Sequence, residues 1–415
     1  ETYQRRKDMD LRKYPQAVDL IEEAYQHVFV RNVFPSMRSL QFGGLAIETT
    51  NNRIYNCSFT NIDRFRSFSE SLYLLLCGCG VGFSVQFHHV EKLPELGRVD
   101  MHNVKHHVIV DSIEGWADAV DELINSVLKG YYVEFAYHKI RDRGKVLKTS
   151  GGRAPGHQGL RVMLERVRSI LYQAQGRQLR PVEYFDMMCH IAEAVLSGGI
   201  RRSSLICLFS HVDGEMMQDK TGEWYVTNPY RKKANISVVL YRDDCKKSTF
   251  RRLFKAARQF GEPGVFFSSG LDYGTNPCGE ALFDPTLEIT EEVIKLIREW
   301  ELETGQAVPK SAFKLGNKFS GFGFCNLCTI NMATVVDEAD FYARCRSASI
   351  LGTLQVGFNY LKYLDWVSHI VLRREALLGV SMTGMMVKPD ISFNPEALRN
   401  GAKIVNETNT EVAKL

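Results

Sequence analysis

The chain has 415 residues, 45% hydrophobic and 24% charged, with 52 basic against 48 acidic side chains and a formal net charge of +4. That balance suits a soluble chain able to close a large core and is too weak to argue for a nucleic-acid or membrane partner. The longest apolar run, around residues 72–85, is cut by Gly78, Gly80 and Gly82 and falls short of the ~18 residues a membrane span needs.

Residues 1–45 read as helical, from Val18, Ile21, Ala24 and Tyr25 at helical spacing, until Pro35-Ser36 breaks the pattern. A short strand is expected over 52–60 and a helix over 68–77. A glycine-rich bend over 77–82 should lead into a strand over 83–87. Helix returns over 112–129, with Asp111 or Ser112 as cap. A strand over 132–137 and a Lys-, Arg-, Gly- and Pro-rich loop over 141–159 follow. His102, His106 and His107 read as a solvated turn with no metal role. Helices over 160–174 and 182–197, strands over 204–209, 236–241 and 264–267, and a helix over 249–260 complete an alternating α/β pattern. Residues 281–324 read as a charged insert carrying a helix over 290–304, and helices dominate after 336.

No signal-peptide stretch opens the sequence, so a reducing, cytoplasmic compartment is expected. The ten cysteines are too irregularly spaced for a disulfide scaffold. Most should be buried small hydrophobes. Cys278 stands apart in Thr275-Asn276-Pro277-Cys278-Gly279-Glu280. If this segment is extended, its amide, thiol and carboxylate face one side. Its Pro and Gly suit a tight loop that presents the sulfur at a tip. Either way the group offers a reactive sulfur with an acid–base partner. The bland alternative is a buried Cys in a turn beside a solvated Glu280. Cys57, in Tyr55-Asn56-Cys57-Ser58-Phe59, and Cys325, in Phe324-Cys325-Asn326-Leu327-Cys328, add two separated thiols.

Asn-Pro-Cys-Gly-Glu followed by Cys-Asn-Leu resembles the active-site loop of ribonucleotide reductases. Further stretches resemble the same family in the same order: Val33–Arg38, Asn56–Phe59, Gly80–Val85, Asp111–Ala119, Leu147–Ala154, Gly198–Ser203 and Gly261–Phe266. Within the family, the forms around residues 80–85, 111–119 and 147–154 look most like the monomeric, adenosylcobalamin-dependent class, which often uses nucleoside triphosphates.

The resemblance implies an α/β fold: a ten-stranded barrel of two antiparallel five-stranded halves around a central finger loop, only partly contained in this chain. Residues 1–50 would form a helical region, 51–275 the first half-barrel, and 276–415 the finger loop, its insertion 281–324 and the start of the second half. Cys278 would carry a thiyl radical, Glu280 would take the 3′-hydroxyl proton and Asn276 would hold a sugar hydroxyl. Cys57 and Cys325 would be the dithiol that ends as a disulfide. Ser36, Asn56, Cys79 and Gly80 would line the substrate. Asp111, Ser112, Lys148 and Arg153 would read a deoxynucleotide effector. Adenosylcobalamin is the implied cofactor, with no structural metal. A thioredoxin-like reductant is the implied partner, without membrane or direct nucleic-acid contact. The diphosphate substrate, a metal-dependent radical source and a degenerate, regulatory homologue stay open.

Two departures stand out. Cys325 follows Cys278 by 47 positions (325 − 278), more than the family loop usually has. The family's second phosphate loop and C-terminal cysteine pair have no counterpart before Leu415, which suggests a split enzyme completed by a separate C-terminal chain. A zinc module on Cys77, Cys79, Cys325 and Cys328 is disfavoured, because Cys-x-Cys is a poor half-site. A thioredoxin-like pair, Cys325 and Cys328, would belong at a helix N-terminus in a smaller domain.

Overall fold

All five residues of the strand Cys57–Asn61 are buried, the mark of a strand covered on both faces, as in parallel sheets packed between helices. In the computed structural model, described over residues 15–147, 152–196, 204–242 and 245–414, this strand belongs to the larger of two compact units, Cys57–Gly323 with Tyr363–Val371. Its sheet runs β1 (Cys57–Asn61), β2 (Gly80–Ser84), β3 (Leu205–Ser210), β4 (Ala234–Tyr241), β5 (Gly264–Ser268), every neighbouring pair parallel. The α/β class expected from the sequence is met, and β3, β4 and β5 fall within a few residues of their expected spans.

The helices that return the chain follow local rules. Arg66–Cys77 links β1 to β2 and stops at Gly78, whose φ of 94° is the left-handed cap glycine allows. Ile113–Lys129 starts at Ser112, whose Oγ accepts from Gly115 N (3.0 Å), and stops at left-handed Gly130. Gln158–Gln173 and Pro181–Leu196 precede β3, and Lys247–Ala257 lies between β4 and β5.

Two expectations need correction. β2 begins at Gly80, inside the stretch read as a bend, and Phe87–Val90 is a helical turn, not the end of a strand. Its glycines serve close approach, not a turn. His102, His106 and His107 lie on a strand, Asp100–Val108, paired in parallel with Tyr131–Ala136. Almost every residue of that strand is exposed, so no apolar alternation announced it. The insert carries the helix expected of it and a strand pair besides. Thr286–Glu288 pairs with Lys318–Ser320, and Glu291–Thr304, capped by Thr290, packs Val293, Ile297 and Trp300 onto Ile370 and Val371.

The smaller unit comprises residues up to Asn56, Phe324–Lys362 and Leu372–Leu415. Its central strand, Gly323–Asn331, is flanked by Val33–Phe34 (antiparallel) and Leu377–Thr383 (parallel). The last strand lies where helix was expected to dominate. Helices Gln16–Phe29, Glu338–Val356 and Pro395–Val412 complete the unit. Arg346 joins all three, bonding Glu23 (3.0 Å) and Glu411 (3.1 Å). Among the described residues, no helix is long and apolar enough to cross a membrane.

Candidate active site

Cys278 sits on a hairpin. β6 (Gly274–Thr275) and β7 (Leu282–Phe283) pair antiparallel, Thr275 opposite Leu282. The segment between them is a tight turn and not an extended run. Gly279 N donates to Asn276 O (2.9 Å), and Gly279 has φ +79°, a conformation that favours glycine. Asn276 is fully buried and its Oδ1 accepts from Ala281 N (3.2 Å), while Thr275 Oγ1 donates to Ala281 O (2.9 Å). The turn leaves Cys278 and Glu280 exposed at the tip and Asn276 Nδ2 buried without a hydrogen-bond partner among the described residues.

β1 and β2 form the seat of this hairpin. A methyl group on Gly82 would lie 2.2 Å from Thr275 O, and one on Gly274 would lie 1.9 Å from Phe59 Cζ. Phe59 also stacks on Phe283 (6.3 Å between centroids). The glycines at 82 and 274 therefore let two backbones meet where any side chain would separate them.

The seat brings Cys57, at the start of β1, under the tip. The sulfurs of Cys57 and Cys278 and a carboxylate oxygen of Glu280 all lie within 4.8 Å of one another. A hydrogen bond with Cys57, burial, and the electrostatic influence of Cys57 and Glu280 push the Cys278 thiol far above the usual range. Cys278 is thus held as a neutral S–H at physiological pH. All ten cysteines stand as thiols rather than disulfides. In the same unit Cys79 is buried, with its sulfur 3.5 Å from Gly80 O. A methyl on Gly80 would lie 3.4 Å from both Cys57 Sγ and Pro277 Cγ.

Ser36, Asn56 and Cys325 lie in the smaller unit. Ser36 Oγ caps the helix Met37–Phe42, accepting from Arg38 N and Ser39 N (3.1 Å each) and donating to Ile54 O (3.2 Å). Asn56 N donates to Cys325 O (3.2 Å), and Asn56 Oδ1 is buried without a hydrogen-bond partner among the described residues. Cys325 and Cys328 are both buried on one strand, three residues apart, so their side chains leave opposite faces. That geometry opposes both the thioredoxin-like pair and a chelating Cys-x-x-Cys.

Gln355 was not singled out in the sequence. Its Oε1 accepts from Ser36 N (2.9 Å) and Ser39 Oγ (2.7 Å), and its Nε2 donates to Asn326 Oδ1 (2.8 Å). Asn326 is the middle residue of Cys-Asn-Leu, so one half of this network had a signal; a lone Gln on a helix had none.

In the effector segment, Arg141 Nε donates to Asp111 Oδ2 (2.6 Å), which ties the start of the helix Ile113–Lys129 to the loop that follows Ala136. Arg153 is exposed, donates to Gly144 O (2.9 Å) and bridges to Val146. Lys148 and the stretch Gly198–Ser203 lie outside the described residues.

No protein-family model matches the chain. Individual proteins do, and they are ribonucleotide reductases. The adenosylcobalamin-dependent ribonucleoside-triphosphate reductase of Euglena gracilis is 28% identical over 297 residues, covering 62% of this chain and 38% of that protein. A Mycobacterium phage D29 protein, provisionally named for the same activity, is 26% identical over 330 residues, covering 69% of this chain and 42% of its own length. A crystal structure of a B12-dependent (class II) ribonucleotide reductase superposes with a TM-score of 0.66 at 18% identity, covering 87% of this chain and 54% of that one. The chain is therefore similar to the class its motifs resembled, and it spans about two fifths of the length of these curated relatives.

Proposed function

We propose that this chain is the radical-bearing part of an adenosylcobalamin-dependent ribonucleotide reductase, acting on ribonucleoside triphosphates. The observation that carries the reading is the cluster of Cys57, Cys278 and Glu280, a neutral thiol beside a second thiol and a carboxylate. A hydrogen-atom exchange needs S–H and not thiolate, and the environment of Cys278 supplies that form.

As a thiyl, Cys278 takes the 3′-hydrogen of the ribose while Glu280 accepts the 3′-hydroxyl proton. The buried Nδ2 of Asn276 supplies an otherwise unused donor for a sugar hydroxyl. Cys57 and Cys325 protonate the departing 2′-hydroxyl and give up two electrons. One ribonucleotide and one dithiol become one deoxyribonucleotide, one disulfide and one water, and the hydrogen atom returns from Cys278 to C3′. Asn56, Ser36, Cys79 and Gly80 line the substrate, and Asp111, Ser112, Lys148 and Arg153 belong to the effector segment. Because the hydroxyl of Ser36 serves as a cap, its part is to fix backbone.

The hairpin tip fits a large cofactor alongside it. Cys278 is exposed, and a methyl on Gly279 would meet nothing within 4 Å, so Pro277, Cys278 and Gly279 form the surface it would meet. Adenosylcobalamin, when bound, supplies the one-electron oxidation of the thiol. The five parallel strands correspond to one half of a ten-stranded barrel, and a thioredoxin-like protein is the reductant that restores the dithiol.

The test is deoxynucleotide formation from ribonucleoside triphosphates by the full protein that contains this chain, with adenosylcobalamin and a dithiol. Cys278→Ala and Cys325→Ser should abolish turnover and Cys328→Ser should retain it. Full turnover by Cys278→Ala overturns the mechanism, and equal turnover without adenosylcobalamin overturns the cofactor.

A further inference from the structure

A second group of ligand-type side chains converges just before the hairpin and takes no part in the proposed reaction. The turn Phe87–Val90 sets His88 and His89 side by side, ring centroids 4.0 Å apart. The chain leaving β5 brings Asp272 to meet them. One ring nitrogen from each histidine and one Asp272 oxygen lie within 4.8 Å of one another. We propose that His88, His89 and Asp272 bind a divalent transition ion of the zinc type, which clamps residues 87–90 to the base of the Cys278 hairpin.

The distances suit such an ion. Donors about 2.0–2.2 Å from a tetrahedral centre lie roughly 3.2–3.6 Å from each other. His89 Nε2 is already 3.0 Å from Asp272 Oδ1. His88 Nε2 rests 3.1 Å from Leu271 O, and a small ring movement brings a nitrogen of this half-exposed residue onto the ion. Two imidazoles and a carboxylate favour zinc, cobalt or nickel over calcium or magnesium.

The surroundings have the outer support a metal site requires. His89 Nδ1 lies 2.9 Å from Ser84 Oγ, which also accepts from Gln86 N (3.3 Å) and Nε2 (3.1 Å), fixing the ring. Asp63 acts electrostatically on His89 and has a buried Oδ1 with no hydrogen-bond partner. Its Oδ2 is held by Ser320 Oγ (2.7 Å) and Lys92 Nζ (3.3 Å), and Arg64 Nη1 lies 3.9 Å from its Oδ1, so the carboxylate is fixed in place. Asp272 and His88 are partly open to solvent, which leaves a coordination position for water.

The site would act on the hairpin through its base. Asn61 Nδ2 donates to Asp272 O (3.3 Å), so the ion would join β1, the turn 87–90 and the entry to β6. The inference is independent of the reductase reading, because its readout is metal binding.

The test is a titration of the chelator-treated full chain with Co2+, followed by visible absorption and then by competition with Zn2+. The expected result is a single equivalent bound with ligand-field bands and no thiolate-to-cobalt charge transfer, and an affinity lowered at least about tenfold by His88→Ala and by Asp272→Asn. Circular dichroism checks that His88→Ala, at a half-exposed position, keeps the fold. No binding, binding that both variants retain, or bands showing sulfur coordination at Cys57 and Cys278 would each overturn the proposal.

Discussion

At the base of the Cys278 hairpin a methyl group on Gly274 would overlap Phe59 at 1.9 Å; at its tip a methyl on Gly279 would meet nothing within 4 Å. The base is closed by Phe59, Phe283 and the backbone of Thr275 against Gly82. The tip is an exposed thiol and an exposed carboxylate above Cys57. The two ends divide a problem that a reactive sulfur poses. In the proposed reaction it has to be positioned to within a fraction of an ångström, yet have free volume around it for a sugar. Close packing transmits position through the base, and the tip is left unpacked so that it can admit a ligand.

This division can be broken from the packed end first. Gly274→Ala should cost about 1–3 kcal/mol or more, since neither the ring of Phe59 nor the backbone can yield without moving the hairpin. Thermal unfolding should show a drop of several degrees, with Gly82→Ala close behind because its clash is with a carbonyl. Unchanged melting in both would mean the seat is not packed as described. At the open end, mild oxidation should link Cys57 to Cys278, since their sulfurs lie within 4.8 Å and only the tip has to adjust. Peptide mapping under non-reducing conditions should find that pair, and Cys57→Ser should remove it. Exposure alone would make Cys278 the fastest thiol to alkylate. Its raised pKa opposes that, because less thiolate is present at any pH below it. Cys57→Ala removes the hydrogen bond that does most to raise it, so iodoacetamide should modify Cys278 several-fold faster in that variant near pH 8.

The same contrast governs what could be read from the sequence. The tip was legible: Pro277 and Gly279 around Cys278 predict a tight presenting loop, and that loop is present. Helices with caps at Ser112 and Thr290 were legible because their first turns carry the chemistry of helix starts. The seat was not. Gly80 and Gly82 looked like a bend, since a glycine that admits a neighbouring backbone and one that reverses the chain are the same letter. The strand Asp100–Val108 was missed because its exposed side chains have no alternation, and the strand Leu377–Thr383 because its half-buried run reads as continuous apolar sequence between helices. His88, His89 and Asp272 are brought together from positions far apart in the chain, which no spacing rule anticipates.

The smallest expected effect is the most discriminating. Gly279→Ala meets no atom, so its only cost is holding a β-carbon at φ +79°, about 1–2 kcal/mol. Much of that cost can be relieved by opening the bond from Gly279 N to Asn276 O, because Gly279 itself is exposed and has no packed neighbour among the described residues. Melting should therefore move little, far less than for Gly274→Ala, while alkylation of Cys278 speeds up as its contact with Cys57 loosens. A loss of stability in Gly279→Ala equal to that in Gly274→Ala would show that the tip is braced like the base. The free volume assigned to the sugar would then have to be made by moving the whole hairpin, and the glycines at 82 and 274 would act as a hinge in place of a fixed seat.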